Sequence, residues 1–323
     1  MTQALPTQLP EWSYLSWDWK QAELYLLALF SKDAKLYAAL QSGDVHRQIM
    51  AWARDMDPAD VTDDMREVSK VIVYAAPYSG FDIPSTVSNA VKKATLKGIP
   101  LTKQEAETTL LRIINTFDRL YAWTGEALLD WYDSHGEVAY LLNARRKIIY
   151  PDYLKRDLDK LRQSQDGRTA INCYGQNSVG LLLKLFMSNI YKDPFLREHT
   201  RQHLPLFDAH TCLVRTKHLA DVQRRLHSLA TPILRCNDFE VRMAVDWKGS
   251  LKSWGDLRKL PTPDESDEKY TPPEYTWEAK PLAQAVPPQV QGVNPFSGPP
   301  PVSGESVANA LVEATNFNPF AAH

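Results

Sequence analysis

The chain has too few cysteines to staple itself. There are three in 323 residues, Cys173, Cys212 and Cys236, with no Cys-x-x-Cys pair. That scatter argues against a disulfide framework or a zinc site and fits a reducing compartment. No run of eighteen apolar residues is present to cross a membrane as a helix. The start, Met-Thr-Gln-Ala-Leu-Pro, has neither the basic nor the apolar stretch of a secretory signal. A soluble protein without a membrane partner is expected. An excess of one charge is also missing: 37 Lys and Arg stand against 39 Asp and Glu. Eight of those acids lie in residues 261–323 with only Lys269 and Lys280 beside them, so the preceding body is mildly basic. Charge alone therefore points to no nucleic-acid partner. What the chain has in quantity is hydrophobic side chain, 44% of residues, enough for a large core.

Residues 1–12 read as a flexible N-terminus. Residues 12–19 read as a short buried strand, and residues 21–41 as an amphipathic helix with Leu24, Leu27, Ala28 and Leu36 inward. Ser42-Gly43-Asp44 stops it, Asp44-Val-His46 starts another helix, and a capping loop over 58–64 precedes a helix over 65–78. Further helices are predicted over 105–135, 167–190 and 219–229. A strand or hairpin over 138–149 carries Arg145-Arg146-Lys147, a hairpin covers 204–216, and a closing strand covers 239–245. After Leu260 apolar periodicity stops, and twelve of the 22 prolines fall in the last 63 residues, the composition of a disordered tail. Two Asn-Pro-Phe triplets there, at 294–296 and 318–320, offer Phe296 and Phe320 as anchors for a tail-binding partner.

The chemistry-bearing residues concentrate in two stretches about fifty residues apart. Asp18-Trp-Lys-Gln-Ala-Glu23 puts a carboxylate at a strand end, and Arg66, Lys70, Tyr74 and Tyr78 recur every fourth residue on one helical face. A carboxylate for Mg²⁺, cations for a triphosphate and a ring for a base are what nucleotidyl transfer needs. A capping carboxylate pair and a solvated basic face are the alternatives from the residues alone. Arg168, Asn172 and Gln176 also recur every fourth residue, as a polar flank or as a set able to reach the minor groove of a duplex.

In order and spacing, residues 13–257 resemble the family A DNA polymerases, the bacterial polymerase I type. Asp18 to Glu23 match motif A, and Arg66 to Tyr78 match motif B. Gly136-Glu-Val with Asn143-Ala-Arg145-Arg146 and Tyr150-Pro151 matches a further family segment, and Gly249 to Trp254 echoes the family's C-terminal ending. The resemblance implies an α+β fold: a partial palm, as an antiparallel sheet with a β-hairpin, plus mainly helical fingers. Palm would occupy 13–60 and 166–260, fingers 61–165, and the tail 261–323. It implies Mg²⁺ on Asp18 and the Trp19 carbonyl, and nucleotide contacts from Glu23 (a steric gate), Arg66, Lys70, Tyr74 and Tyr78. Arg168, Asn172, Gln176 and His210 would contact DNA. Ala75 replaces a usual glycine, and Pro77 is expected to break or kink the motif B helix. Motif C departs furthest. The best alignment sets Thr211 at the tip of its hairpin, where the family carries an aspartate, with Asp208 able to substitute only if the hairpin is re-registered. The implied protein is a C-terminal part of a split or truncated polymerase in the cytoplasm of a bacterium or phage-infected cell. It would act on primer–template DNA and dNTPs, with a separate polypeptide supplying the N-terminal polymerase portion. A non-catalytic polymerase-like scaffold and a Mg²⁺-dependent enzyme acting on free nucleotides are the alternatives.

Overall fold

The structure, a computed structural model, describes residues 11–266, 270–279 and 282. Alternation governs strand β1 (Trp12–Trp19): Ser13, Leu15, Trp17 and Trp19 are buried, while Tyr14, Ser16 and Asp18 lie on the other face. Trp12 thus belongs to the strand rather than to a flexible end. The single helix expected over 21–41 is two, α1 (Ala22–Ser31) and α2 (Ala34–Ser42). Lys32 turns left-handed (φ 54) between them. Asp33 then caps α2, accepting from Leu36 N at 2.9 Å, and its second oxygen accepts from Leu120 N at 3.0 Å. Those two bonds are why a carboxylate is buried there. Helix α3 (Val45–Arg54) starts at Asp44 and α4 (Asp63–Tyr78) at Thr62, each capped by the side chain its sequence offers. Pro77 does not break α4 in mid-course; it occupies the last turn, where the helix ends anyway.

Helices α5 (Ile83–Leu96), α6 (Lys103–Thr116) and α7 (Asp118–Asp133) complete a helical region. The long helix expected over 105–135 is divided at the buried, non-helical Phe117. A small hairpin follows, β2 (Glu137–Ala139) with β3 (Arg145–Lys147), whose three basic residues are all exposed. Then come α8 (Leu158–Gln163), α9 (Gln165–Asn172), a π-helical turn over Cys173–Asn177, and α10 (Ser178–Lys192).

After α11 (Pro194–His199) the chain forms hairpin β4 (Thr200–Leu206) and β5 (Ala209–Arg215), then α12 (Leu219–Ala230). Strands β6 (Ile233–Cys236) and β7 (Phe239–Arg242) pair with each other. β8 (Val245–Ser250) and β9 (Arg258–Leu260) return to the main sheet. The closing strand expected over 239–245 is therefore split between two sheets. β10 (Glu274–Trp277) runs parallel to β6 and buries Trp277 beside Phe30, ring centroids 6.4 Å apart. The tail expected from residue 261 thus contains a packed strand, and both Asn-Pro-Phe triplets lie outside the described residues.

The main sheet has the order β4-β5-β1-β8-β9, with every pairing antiparallel. Its inner face packs on α10 and α12. Phe186 meets the Trp17 ring edge-on at 4.6 Å, and Trp19 Nε1 donates to the Ala230 carbonyl at 2.6 Å. Its outer face carries Tyr14, Ser16 and Asp18, with register partners Ala209, Thr211 and Leu213 on one side and Asp246, Lys248 and Ser250 on the other. The α+β architecture of antiparallel sheets and abundant helix is the one expected. Among the described residues, no helix is long and apolar enough to cross a membrane.

Candidate active site

Asp18 is flanked on both sides of β1. Across one interface it stands opposite Ala209, the first residue after the β4–β5 turn, and across the other it stands opposite Asp246. The turn itself is Phe207-Asp208: Leu206 pairs with Ala209, Phe207 is left-handed (φ 55), and the Asp208 carbonyl accepts from Trp19 N at 3.0 Å. A two-residue hairpin turn thus places Asp208 beside the end of β1. Burial raises the Asp18 carboxyl above its ordinary value. Lys248, 3.7 Å away, works against this, and the carboxylates of Asp246 and Asp208 add to it. Lys20 holds Asp246 at 3.0 Å. Three carboxylates and two lysines therefore share one end of the outer face.

This corrects two sequence expectations. Thr211 is not at the tip; it lies inside β5 opposite Ser16, 6% exposed, its hydroxyl 2.8 Å from that of Ser16. His210 cannot touch DNA, because strand alternation turns it to the inner face. There it is fully buried, stacked 6.0 Å from Trp17 and edge-on to Phe186 at 5.3 Å. Burial pushes its pKa down to about 3. The buried Trp19 side chain, for its part, leaves only the backbone of that residue for an ion.

Helix α4 reaches the same end of the sheet. The Tyr78 hydroxyl donates to a Glu23 carboxylate oxygen, bringing the last turn of α4 onto the first turn of α1. Gly175, in the π turn, permits this approach, since a Cβ there would collide with the Tyr78 hydroxyl. Burial raises Glu23; the Tyr78 hydrogen bond works against that shift, and the Asp208 charge reinforces it. Tyr74 and Tyr78 are both held protonated well above the usual phenol range, chiefly by burial and next by Glu23. Farther up α4, Arg66 Nε is paired with Asp44, and Lys70 Nζ with Glu67 at 2.6 Å. Arg66, Lys70, Tyr74 and Tyr78 all lie within α4, Tyr78 in its last turn.

Two contributors went unread in the sequence. His46 is fully buried with neither ring nitrogen hydrogen-bonded, and its ring lies 5.3 Å from that of Tyr74. Burial, offset by Asp44 and reinforced by Arg66 and Lys70, lowers its pKa to about 4. Its signal was Gly43-Asp-Val-His46, a helix start that also follows the family pattern, with no role assigned to the histidine itself. Asp246 is the second, invisible in the sequence because cross-strand register leaves no local trace.

Arg168, Asn172 and Gln176 follow one another through α9 and the π turn. Arg168 is engaged locally with the Gln163 carbonyl and Gln165, Asn172 Oδ1 is buried without a hydrogen-bond partner, and Gln176 is exposed. The exposed β3 joins this region through Arg146, which donates to Asn177 Oδ1 at 3.3 Å.

The sequence model of DNA polymerase family A matches residues 2–256. The chain belongs to this family. It is 27% identical over 241 residues to the thermostable DNA polymerase I of Thermus thermophilus, covering 73% of this chain and 27% of that protein. It is 29% identical over 189 residues to DNA polymerase I of Streptococcus pneumoniae, covering 57% and 20%. The chain therefore spans about a quarter of the length of such relatives. Its fold is similar to the POL domain of Pol1 from M. smegmatis, solved in complex with DNA primer-template and dNTP. That match has a TM-score of 0.57 and 20% identity, over 74% of this chain and 40% of that one.

Proposed function

We propose that the chain carries the nucleotidyl-transfer site of a DNA polymerase, adding a dNTP to a primer 3′ end under template direction. The observation that carries the reading is Asp208 at the hairpin turn next to Asp18, with Tyr78 of α4 hydrogen-bonded to Glu23 and Arg66 and Lys70 earlier on that helix. The donors present fit Mg²⁺: they are hard carboxylate oxygens, and Asp18 is raised chiefly by burial and further by the Asp246 and Asp208 charges, a cost a divalent cation would offset. Asp18, Asp208 and the Trp19 carbonyl would hold it, with Asp246 as a third nearby carboxylate. Bound there, Mg²⁺ would neutralise triphosphate charge and acidify the primer 3′-hydroxyl.

The chain's own residues do the rest. Arg66 and Lys70 exchange Asp44 and Glu67 for triphosphate oxygens and neutralise charge as pyrophosphate leaves. The bare nitrogens of His46 lie beside that path. Glu23, pinned by Tyr78, fills the space a ribonucleotide's 2′-hydroxyl would need, while Tyr74 packs on the sugar and Tyr78 lies near the templating base. Arg168, Asn172 and Gln176 track the primer–template minor groove, testing pair shape without reading sequence. The non-catalytic alternative rested on a threonine at the hairpin tip together with the missing thumb; Asp208 at the turn weighs against the first of these.

A separate polypeptide supplying the remaining polymerase portion is part of the proposal. Primer extension by the chain alone and with co-purifying proteins tests it. In the active assembly, Lys70→Ala is expected to slow incorporation by roughly 10²-fold, the size of a lost electrostatic transition-state contact; unchanged kinetics would remove Lys70 from the triphosphate site.

A further inference from the structure

On the face opposite Asp18, beneath the hairpin tip, β4 and β5 bring two imidazoles and a thiol together. A β-bulge makes the arrangement. Pairing steps from Arg201 opposite Leu213 to Leu204 opposite Thr211, so Gln202 and His203 share the position facing Cys212. Gln202 adopts a left-handed backbone (φ 52), a conformation unfavourable for a non-glycine residue. The return is that His203 turns inward, its Nδ1 3.0 Å from His210 Nε2. The donor atoms of His203, His210 and Cys212 all lie within 4.8 Å of one another.

Hydrogen bonds fix the tautomers. The Thr200 hydroxyl donates to the Leu196 carbonyl at 2.6 Å, so at 2.9 Å it accepts from His203 Nε2. The His203 Nδ1 lone pair then faces His210, and the one proton between the rings sits on His210 Nε2. His210 Nδ1, in a residue with no exposed surface, is left without a partner.

We propose that His203 Nδ1, His210 Nε2 and Cys212 Sγ form a site for a borderline-soft divalent cation, zinc foremost, distinct from the carboxylate site across the sheet. Two imidazoles and a thiolate suit zinc, whereas Mg²⁺ takes oxygen donors. Tetrahedral zinc places such donors about 3.3–3.7 Å apart, so the thiol closes by about 1 Å and the imidazoles separate slightly. Thr200 supplies the outer hydrogen bond that orients a metal-bound imidazole. On binding, His210 shifts its proton from Nε2 to Nδ1 and Cys212 releases its proton to solvent, one proton per cation. His203, on the edge strand and only partly buried, is the member through which an ion would enter. The cation would tie edge strand β4 to β5 two residues from Asp208. Cysteine spacing gave no hint of this, because the cluster is assembled across strands.

The test uses the full chain, stripped with chelator, held in excess Mg²⁺ and titrated with Co²⁺. Expected is a thiolate-to-cobalt absorption band saturating at one equivalent and displaced by Zn²⁺. Cys212→Ser should abolish the band, and Cys173→Ser and Cys236→Ser should keep it. Thr200→Val should weaken affinity roughly tenfold, and His203→Gln by roughly 100-fold or more, beyond the range for losing an outer partner. No band in the parent chain, or the same band in Cys212→Ser, overturns the site and leaves a hydrogen-bonded histidine pair. Should Cys212→Ser fail to fold, His203→Gln at the partly exposed edge decides: unchanged affinity overturns the proposal equally.

Discussion

The two faces of the five-stranded sheet are made from neighbouring residues and obey opposite rules. Trp17 and Asp18 are adjacent in β1, yet Trp17 is 1% exposed against Phe186 while Asp18 shares the outer face with Asp246, Lys248 and Asp208. The inner face holds the sheet on its helices; the outer face accumulates repelling carboxylates that those helices never see. One strand with a two-residue period supplies both, and a slip of one residue would exchange them. Stability and chemistry are thus separated by the thickness of a single backbone.

The sharpest way to break that comparison is at the hairpin. Asp208→Asn is expected to cut primer extension by the active assembly roughly 10³-fold, the loss of a charge contact worth several kcal/mol. Thr211→Val, one turn of alternation away, should change it less than about threefold; the reverse ranking would return Thr211 to the tip. On the inner face, Trp17→Ala should lower unfolding free energy by about 3–5 kcal/mol in denaturant titration, the cost of a cavity in a packed core. A loss below about 1 kcal/mol would show that the sheet does not depend on this contact.

The smallest effect separates the faces most cleanly. The folded-state pKa of Asp18 is raised, so the folded chain holds that proton more firmly than the unfolded one, and stability falls as pH rises through the folded value. At pH 7 the charged carboxylate is a liability in the metal-free chain, and Asp18→Asn is expected to raise Tm by about a degree or two. The gain is small because the side chain is 40% exposed and water screens the repulsion. It should vanish near pH 3, where both chains are neutral at that position. A lower Tm for Asp18→Asn at pH 7 would mean that Lys248 outweighs burial.

Local rules carried the sequence reading as far as local rules go. β1 was legible as a short strand, though not its alternation, α4 from its four-residue repeat, and the start of α3 from Asp44. The breaks at Lys32 and Phe117 were not, since tertiary partners decide them. Lys32 pairs with Asp238 from the distant β6–β7 hairpin, and Phe117 is buried in the core. The motif C register was missed for a related reason. Thr211 was set at the tip by alignment alone, whereas the observed register puts Asp208 in the turn and buries His210. The bulge at Gln202 and His203 leaves no pattern in residue type, and Asp246 joins Asp18 only through cross-strand pairing.

The account stands on Asp18 and Asp208 acting as one ion site across the hairpin turn. A double-mutant cycle on Mn²⁺ affinity, with Asp18→Asn, Asp208→Asn and both, measures that directly. The prediction is that each single change removes nearly all of the binding free energy and the second adds little, leaving a coupling well above 1 kcal/mol. Additive losses, or Mn²⁺ affinity untouched by Asp208→Asn, would contradict it.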